Sequence, residues 1–166
     1  MSDDTESISG IRSIAVHAAD IVEAYEGNIR SERSFVLRLT PPYHGRMRAR
    51  IHDSEVDDRG VAIAFEPATL LDESEIPPYP DPADTEDALR ADPTRSYTAE
   101  RHRELHVERV REWRIDVSDA ILESISVPPR ALARGIIDRA AVAGDTNADR
   151  VVQSIDIVRL DRESWP

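Results

Sequence analysis

The chain contains no cysteine among its 166 residues, which excludes disulfides, thiolate metal sites and cysteine nucleophiles. It contains no lysine either, so Schiff-base chemistry and the lysine of phosphate-binding loops are excluded with it. Aromatic residues are scarce, 5% against 40% hydrophobic, and the core must be built from Ile, Val, Leu and Ala. The six glycines are scattered and form no loop that could cradle a phosphate. No run approaches the roughly 18 consecutive apolar residues of a membrane-spanning helix. The opening "MSDDTESISG" is polar and acidic, without the apolar centre of a secretory signal. A cytoplasmic protein without membrane contact is expected.

What the chain has in excess is charge. Acids outnumber bases 33 to 21, the formal net charge is −12, and every base is arginine. Ordinary usage draws on both basic residues, so some pressure removed lysine. Codon bias toward arginine and an acidic surface that stays hydrated and self-repelling in concentrated salt act together in a halophile. In molar salt the Debye length is about 3 Å, so the excess negative charge exerts little long-range field. It therefore opposes a polyanionic partner less than it would in dilute buffer.

Length suits one domain. Residues 1–10 read as a disordered lead and 11–166 as a single α+β domain with a proline-rich acidic loop at 72–84. "IRSIAV" (11–16) alternates as a strand, and "AADIVEAYEGNIR" (18–30) has the spacing of a helix with Ile21, Val22, Tyr25 and Ile29 on its buried face. "SFVLRLT" (34–40) and "RMRARIH" (46–52) both alternate with period two across a Pro/Gly connection, which predicts a hairpin. Phe35, Leu37, Leu39, Met47, Ala49 and Ile51 then face inward, and Arg38, Arg46, Arg48, Arg50 and His52 face out. "VAIAFE" (61–66) reads as a further strand, and a short helix is expected from a cap at Asp84 or Thr85 to Arg90.

Residues 98–125 carry the strongest helical pattern, capped by Thr98, with His106, Val110, Trp113, Val117, Ile121 and Ile125 on one stripe. Unbroken, that helix runs about 42 Å. A break near "RIDVSD" is the alternative. Residues 128–144 predict another helix and 150–160 a closing strand. The order predicts an α+β fold: an antiparallel sheet with a central hairpin and helices packed on one face.

Arginine at alternate strand positions spaces guanidinium groups by about 6.8 Å, near the phosphate spacing of an extended nucleic-acid strand. Their forked donors match phosphate oxygens. Arg38, Arg46, Arg48 and Arg50 are the candidate phosphate ligands, with Tyr43 and His44 at the tip placed to stack on a base. The competing explanation is that these arginines pair internally with the abundant Asp and Glu. "HRELH" sets His102 and His106 at the i, i+4 spacing of metal ligands, with ordinary partly buried histidines as the alternative. "DTNAD" (145–149) begins like a calcium loop, but Arg150 stands where the glycine belongs. No metal, cofactor or catalytic residue is assigned.

The runs "VLRLTPPYHGRMRARIH", "IPPYPDPADTEDAL" and "YTAERHRELHVERVREWR" resemble an uncharacterised family of small haloarchaeal proteins, a domain of unknown function, over roughly residues 11–125. The resemblance implies a halophilic source and brings no activity, cofactor or partner. The residues favour a non-enzymatic binding protein that contacts nucleic acid or a ribonucleoprotein through the arginine-lined hairpin. The alternative is an interaction or assembly subunit docking a protein partner through the 98–125 helix and the proline-rich loop.

Overall fold

The computed structural model describes residues 8–54, 62–143 and 152–161. Along the chain lie β1 (Ser13–His17), α1 (Ala18–Arg30), β2 (Phe35–Leu39), β3 (Arg46–Arg48), β4 (Arg50–Asp53) and β5 (Ile63–Phe65). After 3-10 turns at Pro67–Leu70 and Glu73–Glu75 come α2 (Pro82–Ala91), α3 (Ala99–Asp119) and β6 (Ser124–Val127). The described chain ends with α4 (Pro129–Arg134), β7 (Ile136–Ile137), α5 (Arg139–Ala143) and β8 (Gln153–Leu160). Two compact units result: one from the chain up to Asp72 and from Ile121 onward, the other Glu73–Ala120.

The larger unit holds two four-stranded sheets, ordered β3-β1-β8-β6 and β4-β2-β5-β7. The α+β class stands, but the expected single antiparallel sheet is replaced by two mixed ones. β1 runs parallel to β3 and β8, and β5 parallel to β7, whereas β2 is antiparallel to β4 and β5, and β6 to β8. The expected hairpin is half realised. Leu37 faces Ile51 and Arg38 faces Arg50 across β2 and β4, but residues 46–48 pair in parallel with β1 instead. Alternation fixes which side chains face inward and says nothing about which strand lies alongside. Here the carbonyl of Gly45 accepts the N–H groups of Arg12 (2.9 Å) and Ser13 (3.0 Å), and the Ala49 N–H donates to Ala15 O (2.9 Å). These bonds seat β3 on β1 before the chain turns onto β2.

The core of this unit is aliphatic. Ile14, Val16, Ile21, Leu37, Leu39, Ile63, Phe65, Leu70, Ile137 and Ile155 are almost wholly buried. α1 has the predicted bounds, but Ile29 at its end is exposed while Glu26 is buried. Gly27 weakens the helix for a reason: a Cβ there would meet the Phe35 ring at 2.7 Å. The next residue, Asn28, accepts the Phe35 N–H at 2.6 Å and donates to the Phe35 carbonyl at 2.9 Å, acting as a strand partner at the start of β2.

Two long helical patterns end early. The one over 98–125 takes its broken alternative, α3 ending at Asp119, the last residue of "RIDVSD". Ile121 bridges to Leu71 and Ile125 joins β6 opposite Ile155. A spacing of four residues keeps side chains on one face of a helix and equally on one face of a strand, so Ile121 and Ile125 extended the helical stripe without being helical. The helix expected over 128–144 is divided at Gly135, which has φ 75° and ends α4. There a Cβ would meet the Ala62 carbonyl oxygen at 2.8 Å, and the Gly135 carbonyl accepts the Ala64 N–H.

In the smaller unit Thr98 caps α3 as expected, its hydroxyl accepting the Arg101 N–H at 3.1 Å. α2 begins earlier than the sequence suggests, because Asp81 accepts the Ala83 N–H at 2.8 Å with Pro82 at the first helical position. Val110, Trp113 and Val117 form the buried stripe of α3. The proline-rich segment is held to that helix: Trp113 Nε1 donates to Pro77 O at 2.9 Å, and the Tyr79 ring meets the indole edge-on at 4.8 Å.

Candidate nucleic-acid interface

β3 and β4 are one run of chain shared between the two sheets, with Ala49 at the crossing. Along it burial alternates without interruption: Arg46, Arg48 and Arg50 are exposed, Met47 and Ala49 buried. The outward rows continue onto small neighbours in the first sheet, where Arg46 aligns with Ser13 and Arg48 with Ala15. In the second sheet Arg50 stands directly opposite Arg38. Like charges directly opposed across a strand pair are unfavourable, so the fold tolerates a local concentration of positive charge at this point.

Six arginines elsewhere find carboxylates. Arg30 pairs with Glu26, Arg33 with Asp53, Arg90 with Glu86, Arg95 with Asp92, Arg139 with Glu66 and Arg159 with Asp161. Among the described residues Arg46, Arg48 and Arg50 make no ion pair. Arg48 is instead held by an uncharged acceptor, its Nη2 lying 2.8 Å from Nε2 of His17 at the end of β1. Nη1 of Arg38 is 3.4 Å from both ring nitrogens of His52, so its guanidinium lies against the imidazole ring.

The two tip residues separate. His44 is exposed, whereas Tyr43 is 7% exposed; its ring is withdrawn from any base that the arginines approach. Tyr43 is a correction to the expected set. The residue missed was His17. It lies 31 positions from Arg48, and only the parallel pairing of β1 with β3 brings them together.

The histidines of the smaller unit have structural partners. His102 Nε2 is 2.9 Å from the Pro82 carbonyl, so it carries the hydrogen, and His106 Nδ1 is 3.0 Å from the hydroxyl of fully buried Thr85. Their rings are stacked at 6.1 Å. Among the described residues no group of three or more His, Asp or Glu could hold a metal ion. "DTNAD" lies outside the described residues. Among those described, no helix is long and apolar enough to cross a membrane.

Fold and site together define an α+β protein with an arginine-lined strand shared by two mixed sheets. The chain belongs to the family described as Domain of unknown function (DUF8009), whose model matches residues 1–138. No curated protein and no solved structure matches it.

Proposed function

We propose that the protein is a non-enzymatic binding protein of a halophile's cytoplasm, and that Arg38, Arg46, Arg48 and Arg50, with His44, hold nucleic acid or a ribonucleoprotein by its phosphates. One observation carries this reading: three successive outward arginines on one run of strand without a carboxylate partner among the described residues, whereas six arginines elsewhere pair with acids. A guanidinium left open presents its forked donors to phosphate oxygens. The halophilic setting rests on the lysine-free, acidic composition, and predicts a melting temperature that rises steadily with KCl between dilute buffer and molar salt.

The test is fluorescence anisotropy with labelled oligonucleotides, in single-stranded and duplex form, at 0.5 and 2 M KCl. Arg46→Ala/Arg48→Ala/Arg50→Ala is expected to weaken binding at least tenfold with an unchanged far-ultraviolet circular dichroism spectrum. Equal binding by the variant and the native chain, or no binding by the native chain, would end the proposal.

A second reading has an observation of its own. The segment Pro77–Pro80, fixed on α3 through Trp113 and Tyr79, lines an open groove with Asp84, Arg109, Glu112 and Asp116. A prearranged proline-rich edge suits docking to a protein partner. Recovery of a stoichiometric protein from native high-salt lysate, lost with Tyr79→Ala, supports it; recovery of nucleic acid alone opposes it.

A further inference from the structure

We infer that the ligand of the arginine face is the phosphate backbone of a nucleic-acid duplex, gripped without reading or stacking its bases. The inference rests on the phosphate-binding reading above and narrows it.

Sheets that bind single strands do so by stacking successive bases on exposed aromatic rings. Among the described residues this face has no such platform. Phe65 and Tyr43 are buried, Phe35 packs against Gly27, and Tyr25 is half-buried on α1. Tyr79, Tyr97 and Trp113 belong to the other unit, and Trp165 lies outside the described residues. Of the imidazoles on the face, His52 is covered by the Arg38 guanidinium and His17 is engaged by Arg48. Among the described residues only His44 is left, and a lone ring holds one base.

Reading bases inside a duplex is equally unsuited to this arrangement. The major groove, about 12 Å wide, admits a helix or a two-stranded ribbon. The arginines sit on β3 and β4, each the outer strand of a four-stranded sheet and not of a two-stranded ribbon, with β1 alongside Arg46 and Arg48 and β2 alongside Arg50. A broad sheet face meets the outside of a duplex, where the phosphates are. Ser13 and Ala15 beside the guanidinium groups let a backbone approach closely. A duplex also carries about one charge per 1.7 Å of axis, twice the density of each strand alone. With phosphates as the only handle, the duplex binds more tightly.

Anisotropy titrations of the full chain with a labelled 20-base-pair duplex and each of its separated strands test this. The duplex is expected to bind at least several-fold tighter than either strand, and scrambling its sequence should change affinity less than twofold. Three contacted phosphates give a slope of log K against log [KCl] of about −2.7, and hence about a 40-fold loss between 0.5 and 2 M. Arg48→Ala should weaken duplex binding and reduce the slope by about one contact. A single strand bound more tightly than the duplex, with the arginines still required, overturns this inference and leaves the phosphate reading standing. Binding of neither form overturns both.

Discussion

Arg48 donates a hydrogen bond from Nη2 to Nε2 of His17 over 2.8 Å. Arginine has no acceptor, so Nε2 accepts and the ring hydrogen resides on Nδ1, which is buried without a hydrogen-bond partner among the described residues. The bond spans the place where β3 leaves β1, and it holds the middle guanidinium of the row while leaving its charge uncompensated.

That arrangement fixes a tautomer. Long-range ¹H–¹⁵N correlation spectra at pH 8 should show His17 as the Nδ1–H form, and an Nε2–H form would contradict the geometry. His17→Ala should lower duplex affinity by about three- to tenfold, on the order of 1 kcal/mol for one oriented hydrogen bond, by releasing Arg48.

Gly135→Ala should destabilise the larger unit. The position combines φ 75° with a carbonyl oxygen 2.8 Å from where a Cβ would lie. The cost should exceed about 1 kcal/mol, a fall in melting temperature of at least ~2–4 °C by calorimetry. An unchanged melting temperature would refute the close approach of Ala62.

Asn28→Ala removes both hydrogen bonds to the Phe35 backbone. It should cost about 1–3 kcal/mol in urea unfolding, because it leaves part-buried backbone groups unpaired. Asn28→Asp, which keeps the acceptor for the Phe35 N–H, should recover part of the loss.

The Asp92 carboxyl is held below the ordinary aspartate range by the Thr94 hydroxyl, then by the Thr94 backbone N–H and by nearby Arg95. A lowered folded-state pKa contributes stability above the unfolded value, and that contribution is lost as pH falls through the folded one. Carboxyl ¹³C titration should place the Asp92 midpoint below that of exposed aspartates, and Thr94→Ala should move it upward. No upward movement would show that the hydroxyl is not the cause.

Trp113→Phe keeps a ring against Tyr79 but deletes the donor to Pro77 O. Amide exchange around Tyr79 should quicken several-fold, as expected for loss of about 1 kcal/mol, while exchange in β1 stays as it was.

Where a structural choice is made by neighbours in the chain, the sequence was enough. The bounds of α1, the cap at Thr98, and the inward set Leu37, Leu39, Met47 and Ala49 with arginines outward all follow from periodicity and capping chemistry. The missing cysteine and lysine removed whole classes of chemistry in the same way. Tertiary structure decided what periodicity cannot encode. It placed β3 beside β1 and not β2, because the backbone groups of Gly45 and Ala15 are satisfied there. It made Ile125 a strand residue, since a four-residue spacing serves helix and strand alike, and it buried Tyr43 while bringing His17 to Arg48. An alternating strand presents the same inward and outward faces beside any partner; the partner is selected by backbone hydrogen bonds and buried surface contributed from elsewhere in the chain.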